Sequence, residues 1–136
     1  MSPEKLVAII LASLIFVTLL IIFVRLLPKR LKTKHFVDSW KELQSKCTDS
    51  KKWPEVLKEA DELLDEALRK RKFKGKTTGE RMVSAQKIFT NNDAVWFGHK
   101  LCKKIQTSPN TTLTQSHMKK ALLGLRQGLI DLGALK

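Results

Sequence analysis

The stretch that decides the fold is WPEVLKEADELLDEALRKRK, residues 53–72. Its apolar residues recur at spacings of three and four, which is the period of one face of an α-helix. That wide face comprises Trp53, Val56, Leu57, Ala60, Leu63, Leu64, Ala67 and Leu68. Pro54 suits the first helical turn, and Glu66 precedes Lys70 in the favourable i,i+4 order. The stretch therefore predicts the longest helix of a bundle, from residue 53 to about residue 72, with its C-cap region near Gly75.

The flanking sequence repeats the helical period, and no run alternates as a strand would. We predict four more helices, at residues 36–47, 77–89, 94–105 and 114–132. Their predicted core stripes are Phe36, Trp40, Leu43 and Cys47; Met82, Ala85 and Phe89; Ala94, Phe97, Leu101 and Ile105; and Met118, Leu122, Leu125, Leu129 and Leu132. Thr77 with Glu80 fits a capping box, and Gly133 a C-terminal cap. The fold class is therefore all-α, with a compact bundle of about five helices.

Toward the N-terminus lies LVAIILASLIFVTLLIIFV, residues 6–24, which contains no charge. As a helix, 19 such residues reach roughly 28 Å, close to the thickness of a bilayer's hydrocarbon core. A buried core helix is disfavoured because one small domain could not cover a helix that is apolar on every side. A cleaved signal peptide is the stronger alternative. Bulky residues follow the segment in place of a small-residue cleavage site, so we predict an uncleaved transmembrane anchor.

The charges beside this segment predict its orientation. Five bases and no acid follow it, whereas one Lys and one Glu precede it; the bases are Arg25, Lys29, Arg30, Lys32 and Lys34. The positive-inside rule then places the N-terminus outside and the C-terminal domain in the cytoplasm, at the plasma membrane. These bases chiefly fix topology, and they would also attract anionic membrane lipid.

The chain of 136 residues thus divides into three parts. Residues 1–27 form the anchor with a short tail, residues 28–35 a basic juxtamembrane linker, and residues 36–136 the helical bundle. This organisation excludes a large multi-domain enzyme and a polytopic transporter. The cysteines, Cys47 and Cys102, are too few for a disulfide scaffold and agree with a reducing compartment.

The densest charge of the bundle surrounds Phe73. It consists of Arg69, Lys70, Arg71, Lys72, Lys74 and Lys76. This cluster could bind RNA phosphates or anionic lipid. The simpler interpretation is a solvated helix end whose bases complement the helix dipole. From His35 onward 20 bases stand against 12 acids, so a positive field remains in either case.

No group of side chains has the spacing of a catalytic or metal site. The acids of residues 53–70 fit a solvated helix face, and the cysteines and histidines lack paired metal-ligand spacing. We therefore expect no enzyme activity, no metal or other cofactor, and no small-molecule substrate.

Three segments, residues 60–68, 73–81 and 96–101, together with the closing residues 131–135, carry a resemblance. They resemble uncharacterised small single-pass bacterial membrane proteins whose cytosolic helical domain is similar to HEPN domains. HEPN ribonucleases carry an Arg followed several residues later by a His. The matching stretch here is HKLCKKIQT, residues 99–107, with Cys102 in place of the Arg and Thr107 in place of the His. The resemblance implies a HEPN-like fold without the nuclease site, and it leaves dimerisation through this helix open.

Together these observations predict a membrane-anchored, non-catalytic interaction or assembly module on the cytoplasmic face. Its expected partners are membrane lipid and either a second copy or another protein. The candidate helix for self-association is the fourth of the bundle, with Trp96, His99, Cys102 and Lys103. An RNA-binding protein, or a degenerate HEPN-type protein that acts on RNA, is the alternative.

Overall fold

The computed structural model describes residues 2–26 and 31–136, and within them it contains helices but no strand. The helices are α1 (Pro3–Leu26), α2 (Thr33–Ser45), α3 (Trp53–Lys70), α4 (Thr78–Ser84), α5 (Asn92–Thr107) and α6 (Gln115–Asp131). Two short 3₁₀ turns, Lys46–Thr48 and Ser50–Lys52, join α2 to α3. The all-α prediction, with about five helices after the apolar one, is confirmed.

Helix α1 takes no part in the core, since none of its residues is buried. Its two polar side chains bond to the helix itself: the hydroxyls of Ser13 and Thr18 donate to backbone carbonyls four residues earlier, at 2.9 and 2.8 Å. Among the described residues, α1 is the one helix long and apolar enough to cross a membrane. Lys29 and Arg30 of the juxtamembrane set, and the predicted boundary between residues 27 and 28, lie outside the described residues.

Helix α3 is the centre of the bundle and packs against α2, α4, α5 and α6. Seven of its eight predicted core residues are buried, and Trp53 is partly buried. Helix α2 contributes Phe36, Trp40 and Leu43, as its stripe predicts. It begins at Thr33, inside the predicted linker, and His35 Nε2 lies 3.0 Å from a carboxylate oxygen of Glu66 on α3.

Helices α5 and α6 pack closely because glycines meet at their crossing. A Cβ added to Gly98 would lie 2.6 Å from Leu125 Cγ and 2.8 Å from the Ala121 carbonyl oxygen, and one added to Gly124 would overlap the backbone of Ala94. This approach turns α5 about its axis relative to the prediction. The buried residues are Val95, Gly98, His99, Cys102 and Ile105. The predicted stripe is therefore wrong except for Ile105, because Ala94, Phe97 and Leu101 are only partly buried.

Helix α4 is shorter than predicted. Thr77 caps it as expected, with its hydroxyl oxygen accepting from the Glu80 backbone N–H at 3.2 Å. The helix ends at Ser84, and three-residue turns follow, such as the bond from Ile88 N to the Ala85 carbonyl at 2.9 Å. Phe89 is nevertheless buried in the core, which confirms its predicted burial. The predicted extension of the helix to residue 89 is wrong.

Helices α3 and α6 end in the same capping motif on different residues. After α6, Gly133 adopts a left-handed backbone with φ of 81°, and Ala134 N donates to the Leu129 carbonyl at 2.9 Å. After α3 the left-handed position is Lys72, with φ of 62°, and Phe73 N donates to the Leu68 carbonyl at 3.1 Å. The cap at Gly133 is as predicted. Helix α3 ends at Lys70, close to the predicted end at residue 72, and its left-handed cap residue is Lys72 in place of the predicted Gly75.

Replacing Lys72 by glycine should stabilise the bundle. A side chain with a Cβ in this conformation costs about 1 kcal/mol, which glycine avoids. We expect the midpoint of thermal unfolding to rise by about 4 °C or more, measured by circular dichroism on the full chain in detergent. Gly133→Ala is the matched control, because a Cβ there meets no atom within 4 Å and only the backbone strain changes. It should lower the midpoint; two shifts of the same sign would contradict the account.

Candidate functional site

A polar cluster lies inside the bundle between α3 and α5. His99 Nδ1 lies 2.9 Å from Asp61 Oδ1, with side-chain exposures of 3% and 13%. The Cys102 thiol lies on the same side of α5, one turn further along, and Gln106 Nε2 donates to it at 3.7 Å. Burial, followed by the negative charges of Asp61 and Glu62, raises the pKa of Cys102 to about 12. The thiol therefore stays protonated at neutral pH, when it is a poor nucleophile.

The two thiols should differ sharply in reactivity. Cys47 is half-buried and burial raises its pKa, whereas Cys102 is 2% exposed and has a pKa of about 12. A pKa of about 12 in place of about 9 reduces the thiolate fraction of Cys102 about a thousandfold near pH 8. Steric shielding of the buried thiol slows its reaction further. We expect iodoacetamide to modify Cys47 alone in the folded chain, as measured by mass spectrometry. Both should react in guanidinium, and equal rates in the folded chain would show that Cys102 is not enclosed.

The residues predicted for self-association do not share a surface. His99 and Cys102 are buried in the bundle, while Lys103 is exposed and Trp96 is partly exposed. The turn of α5 caused by its close packing on α6 explains this placement. An interface on α5 would thus use Trp96 and Lys103 without the other two. The two positions that match the HEPN motif also lack a shared surface. Cys102 is buried, and the Thr107 hydroxyl donates within its own helix, to the Lys103 carbonyl at 3.1 Å.

Four of the six bases around Phe73 have partners within the chain. Arg69 pairs with Asp65 at 3.2 Å, and Lys70 with Glu66 at 3.0 Å. Arg71 donates to the Leu132 carbonyl at the end of α6, at 3.2 Å. These three side chains therefore already have partners within the bundle. Among the described contacts, Lys74 and Lys76 have no ion pair.

Lys72, the fourth base of this cluster with a partner, contacts the end of α1. Lys72 Nζ donates to the backbone carbonyl of Arg25 at 2.8 Å. This carbonyl lies in the last turn of α1, where carbonyls have no partner within the helix and the dipole attracts cations. The strained Lys72 thus joins the end of α3 to the end of the apolar helix.

A surface on α5 and α6 combines aromatic rings with lysines, and we call it the aromatic–lysine face. Lys120 Nζ lies 4.3 Å from the centre of the Phe97 ring, and His117 packs edge-on to the same ring at 6.1 Å. Lys100 Nζ lies 5.8 Å from the Trp96 ring. The sequence interpretation missed this face because it assigned Phe97 to the core.

Charge is divided unevenly over the bundle. Residues 35–66 carry nine acids and five bases, whereas residues 67–136 carry three acids and fifteen bases. The acids of α2 and α3 line a groove of about 550 Å³ whose carboxylates are Glu42, Glu59, Glu62, Asp65 and Glu66. Among residues 2–26 and 31–136, no group of three histidines, cysteines or carboxylates could hold a metal ion. The acids are therefore concentrated on α2 and α3, whereas bases predominate in the chain after residue 66.

Comparisons with models of protein families, with curated proteins and with solved structures gave no match to this chain.

Proposed function

We propose that this chain is a membrane-anchored, non-catalytic helical module that binds partners on the cytoplasmic face of the plasma membrane. The observation that carries the proposal is the contrast between α1 and the rest of the chain. The apolar surface of α1 is entirely exposed, while the bundle completes a core of its own without it. A helix of this kind gains stability only when a bilayer covers it.

The charges at the end of α1 support the orientation with the bundle in the cytoplasm. In the sequence, bases stand at residue 25, in the last turn of α1, and after the helix at residues 29, 30, 32 and 34. Lys72 and its neighbours Lys74 and Lys76 come from the bundle, and Lys72 lies against the same end. Near an anionic headgroup layer, each such base contributes about 1 kcal/mol. Membrane lipid is therefore one of the proposed partners.

The interior polar cluster supports a non-catalytic role. The His99 and Asp61 side chains are enclosed and contact one another, and Cys102 is held as a thiol. A general base or nucleophile must reach a substrate within hydrogen-bond distance. These groups instead serve to join α5 to α3.

RNA binding is the second candidate function, and the aromatic–lysine face favours it. Partly exposed aromatic rings beside lysines suit a single strand, because bases stack on rings while the amines contact phosphates. The resemblance to HEPN domains points to the same class of ligand. Lys100→Glu with Lys120→Glu should then abolish a low-salt shift of a labelled oligonucleotide, whereas Lys74→Glu with Lys76→Glu should not. No shift by the unmodified chain would rule this candidate out.

Anchoring and orientation are tested together in cells. The full chain, with Cys47→Ser to remove its accessible thiol, receives one new cysteine as Ser2→Cys or Lys136→Cys. We expect an impermeant maleimide to label only the first in intact cells, and the chain to stay in the membrane at full length after carbonate extraction. A shortened chain would show a cleaved signal sequence. Labelling of the second variant alone would reverse the orientation.

A further inference from the structure

The bundle has an apolar groove that no part of the described chain fills. It lies between α2 with its following 3₁₀ turn and α6, and has a volume of about 320 Å³. Its floor is Trp40, Leu43 and Met118, which are buried, and its walls are the partly buried Trp53, Cys47 and Leu122. The Trp53 indole N–H donates to the Cys47 carbonyl at 2.8 Å, which holds this wall in place.

One wall of the groove is a stripe along the outer face of α6. Leu122 and Leu123 follow Lys119 by three and four residues and precede Arg126 by four and three, so the four side chains share one face. Leu123 is 57% exposed. A single exposed leucine is common on protein surfaces and by itself indicates no binding site. Here it continues a row of apolar groove residues, and a cation stands one turn away on each side. The stripe is therefore an apolar centre bordered by positive charge.

We propose that this groove binds an amphipathic helix of another protein, with leucine-like side chains on one face and acidic residues along its borders. The groove has room for a few apolar side chains, and Lys119 and Arg126 would pair with the bordering carboxylates. Such helix-in-groove docking uses anchors spaced three and four residues apart, which matches the spacing on α6. The proposal rests on the proposed function as an interaction module and specifies the class of partner.

A second copy of this chain fits the groove poorly. Two grooves facing across a two-fold axis would bring Lys119 and Arg126 of one copy near the same cations of the other, which costs energy. The acidic side of another copy has the right charge but lacks apolar anchors. Within residues 31–136 the large hydrophobic side chains that are exposed are Val83 and Leu123, and neither of them lines the acidic groove.

The test uses the full chain in lipid nanodiscs and a synthetic peptide of about 20 residues, long enough to form a helix. The peptide carries leucines at i, i+3, i+4 and i+7 with glutamates on both borders. A second peptide has lysines in place of the glutamates. Two readouts come from the groove itself: the rate of Cys47 alkylation, and tryptophan emission in Trp96→Phe, whose two remaining indoles both line the groove.

We expect the glutamate peptide to slow Cys47 alkylation at least about tenfold at saturation and to shift the emission to shorter wavelength. The lysine peptide should do neither. Leu123→Glu, and separately Lys119→Glu with Arg126→Glu, should each weaken binding at least about tenfold. Val83→Glu is the matched control, since it places the same charge on the other exposed hydrophobic position of the bundle, and it should leave binding unchanged.

Three results would overturn the proposal: no effect of the glutamate peptide, equal effects of both peptides, or equal loss in Leu123→Glu and Val83→Glu. Slower alkylation as the protein itself is concentrated, without peptide, would assign the groove to a second copy and also overturn it. None of these results depends on membrane orientation. The proposal for the groove can therefore be refuted while membrane anchoring is supported. Anchoring can likewise be refuted while peptide binding in the groove is supported.

Discussion

Replacing Gly124 by alanine is expected to destabilise the bundle by about 3 kcal/mol or more. The new Cβ would overlap the backbone carbonyl of Ala94, so α5 and α6 would have to move apart. Backbone cannot rotate away as a flexible side chain can, and this is the most extensive helix–helix contact of the bundle. Thermal unfolding of the full chain in detergent should shift down by more than about 10 °C.

Gly79→Ala is the control for this prediction. A Cβ there would lie 3.6 Å from the Trp96 ring, an ordinary contact, and the position is in the first turn of α4. Alanine should be neutral or stabilise by up to about 1 kcal/mol, because it favours the helix. If Gly124→Ala unfolds like the unmodified chain while Gly79→Ala behaves as stated, the two helices do not approach as closely as described.

The second large effect is expected from Asp61→Ala. Loss of the carboxylate removes the partner of the buried His99 Nδ1, which lies 2.9 Å away. A buried polar group without a partner costs about 1–3 kcal/mol, and the cavity left by the side chain adds to that. We expect a loss of about 3 kcal/mol in the free energy of unfolding. Asp61→Asn, which keeps an acceptor oxygen, should lose less.

Two further measurements separate this cluster from a general effect of removing charge. Glu62→Ala, at the exposed neighbouring position, should change stability by less than about 0.5 kcal/mol. Asp61→Asn should also speed alkylation of Cys102, because the Asp61 charge contributes to the raised pKa of that thiol. A cost for Asp61→Ala no larger than for Glu62→Ala would mean that the contact with His99 contributes nothing to stability.

Much of the bundle could be predicted because its signals are local. The apolar period of residues 53–70 corresponds to the buried face of α3. Phe36, Trp40 and Leu43 of the α2 stripe are buried as predicted, whereas Cys47 is partly buried in the turn that follows. Thr77 and Thr114 accept backbone N–H groups at the starts of α4 and α6, at 3.2 and 3.1 Å. Each of these features depends on residues within one or two turns, so the sequence alone contains the information.

The candidate surfaces could be predicted only in part. The cluster around Phe73 is visible as a run of bases, and the i,i+4 order predicts the ion pairs of Arg69 and Lys70 with acids one turn earlier on α3. The sequence does not show that Arg71 donates to the Leu132 carbonyl and Lys72 to the Arg25 carbonyl, because these two acceptors are distant in the chain. The groove between α2 and α6 has no local signal, since its walls come from segments about 70 residues apart in the chain.

By itself, the sequence determined the helical class, the apolar α1, the core face of α3 and the basic excess of the chain. Only the tertiary structure decided which side of α5 is buried. Apolar residues on α5 occupy two adjacent faces, so the hydrophobic pattern of the helix alone is compatible with burial of either face. The glycines at its crossing with α6 select Val95, His99 and Cys102, because only that rotation lets the two backbones meet. The same rotation leaves Phe97 partly buried at the surface and Lys100 exposed, and so forms the aromatic–lysine face.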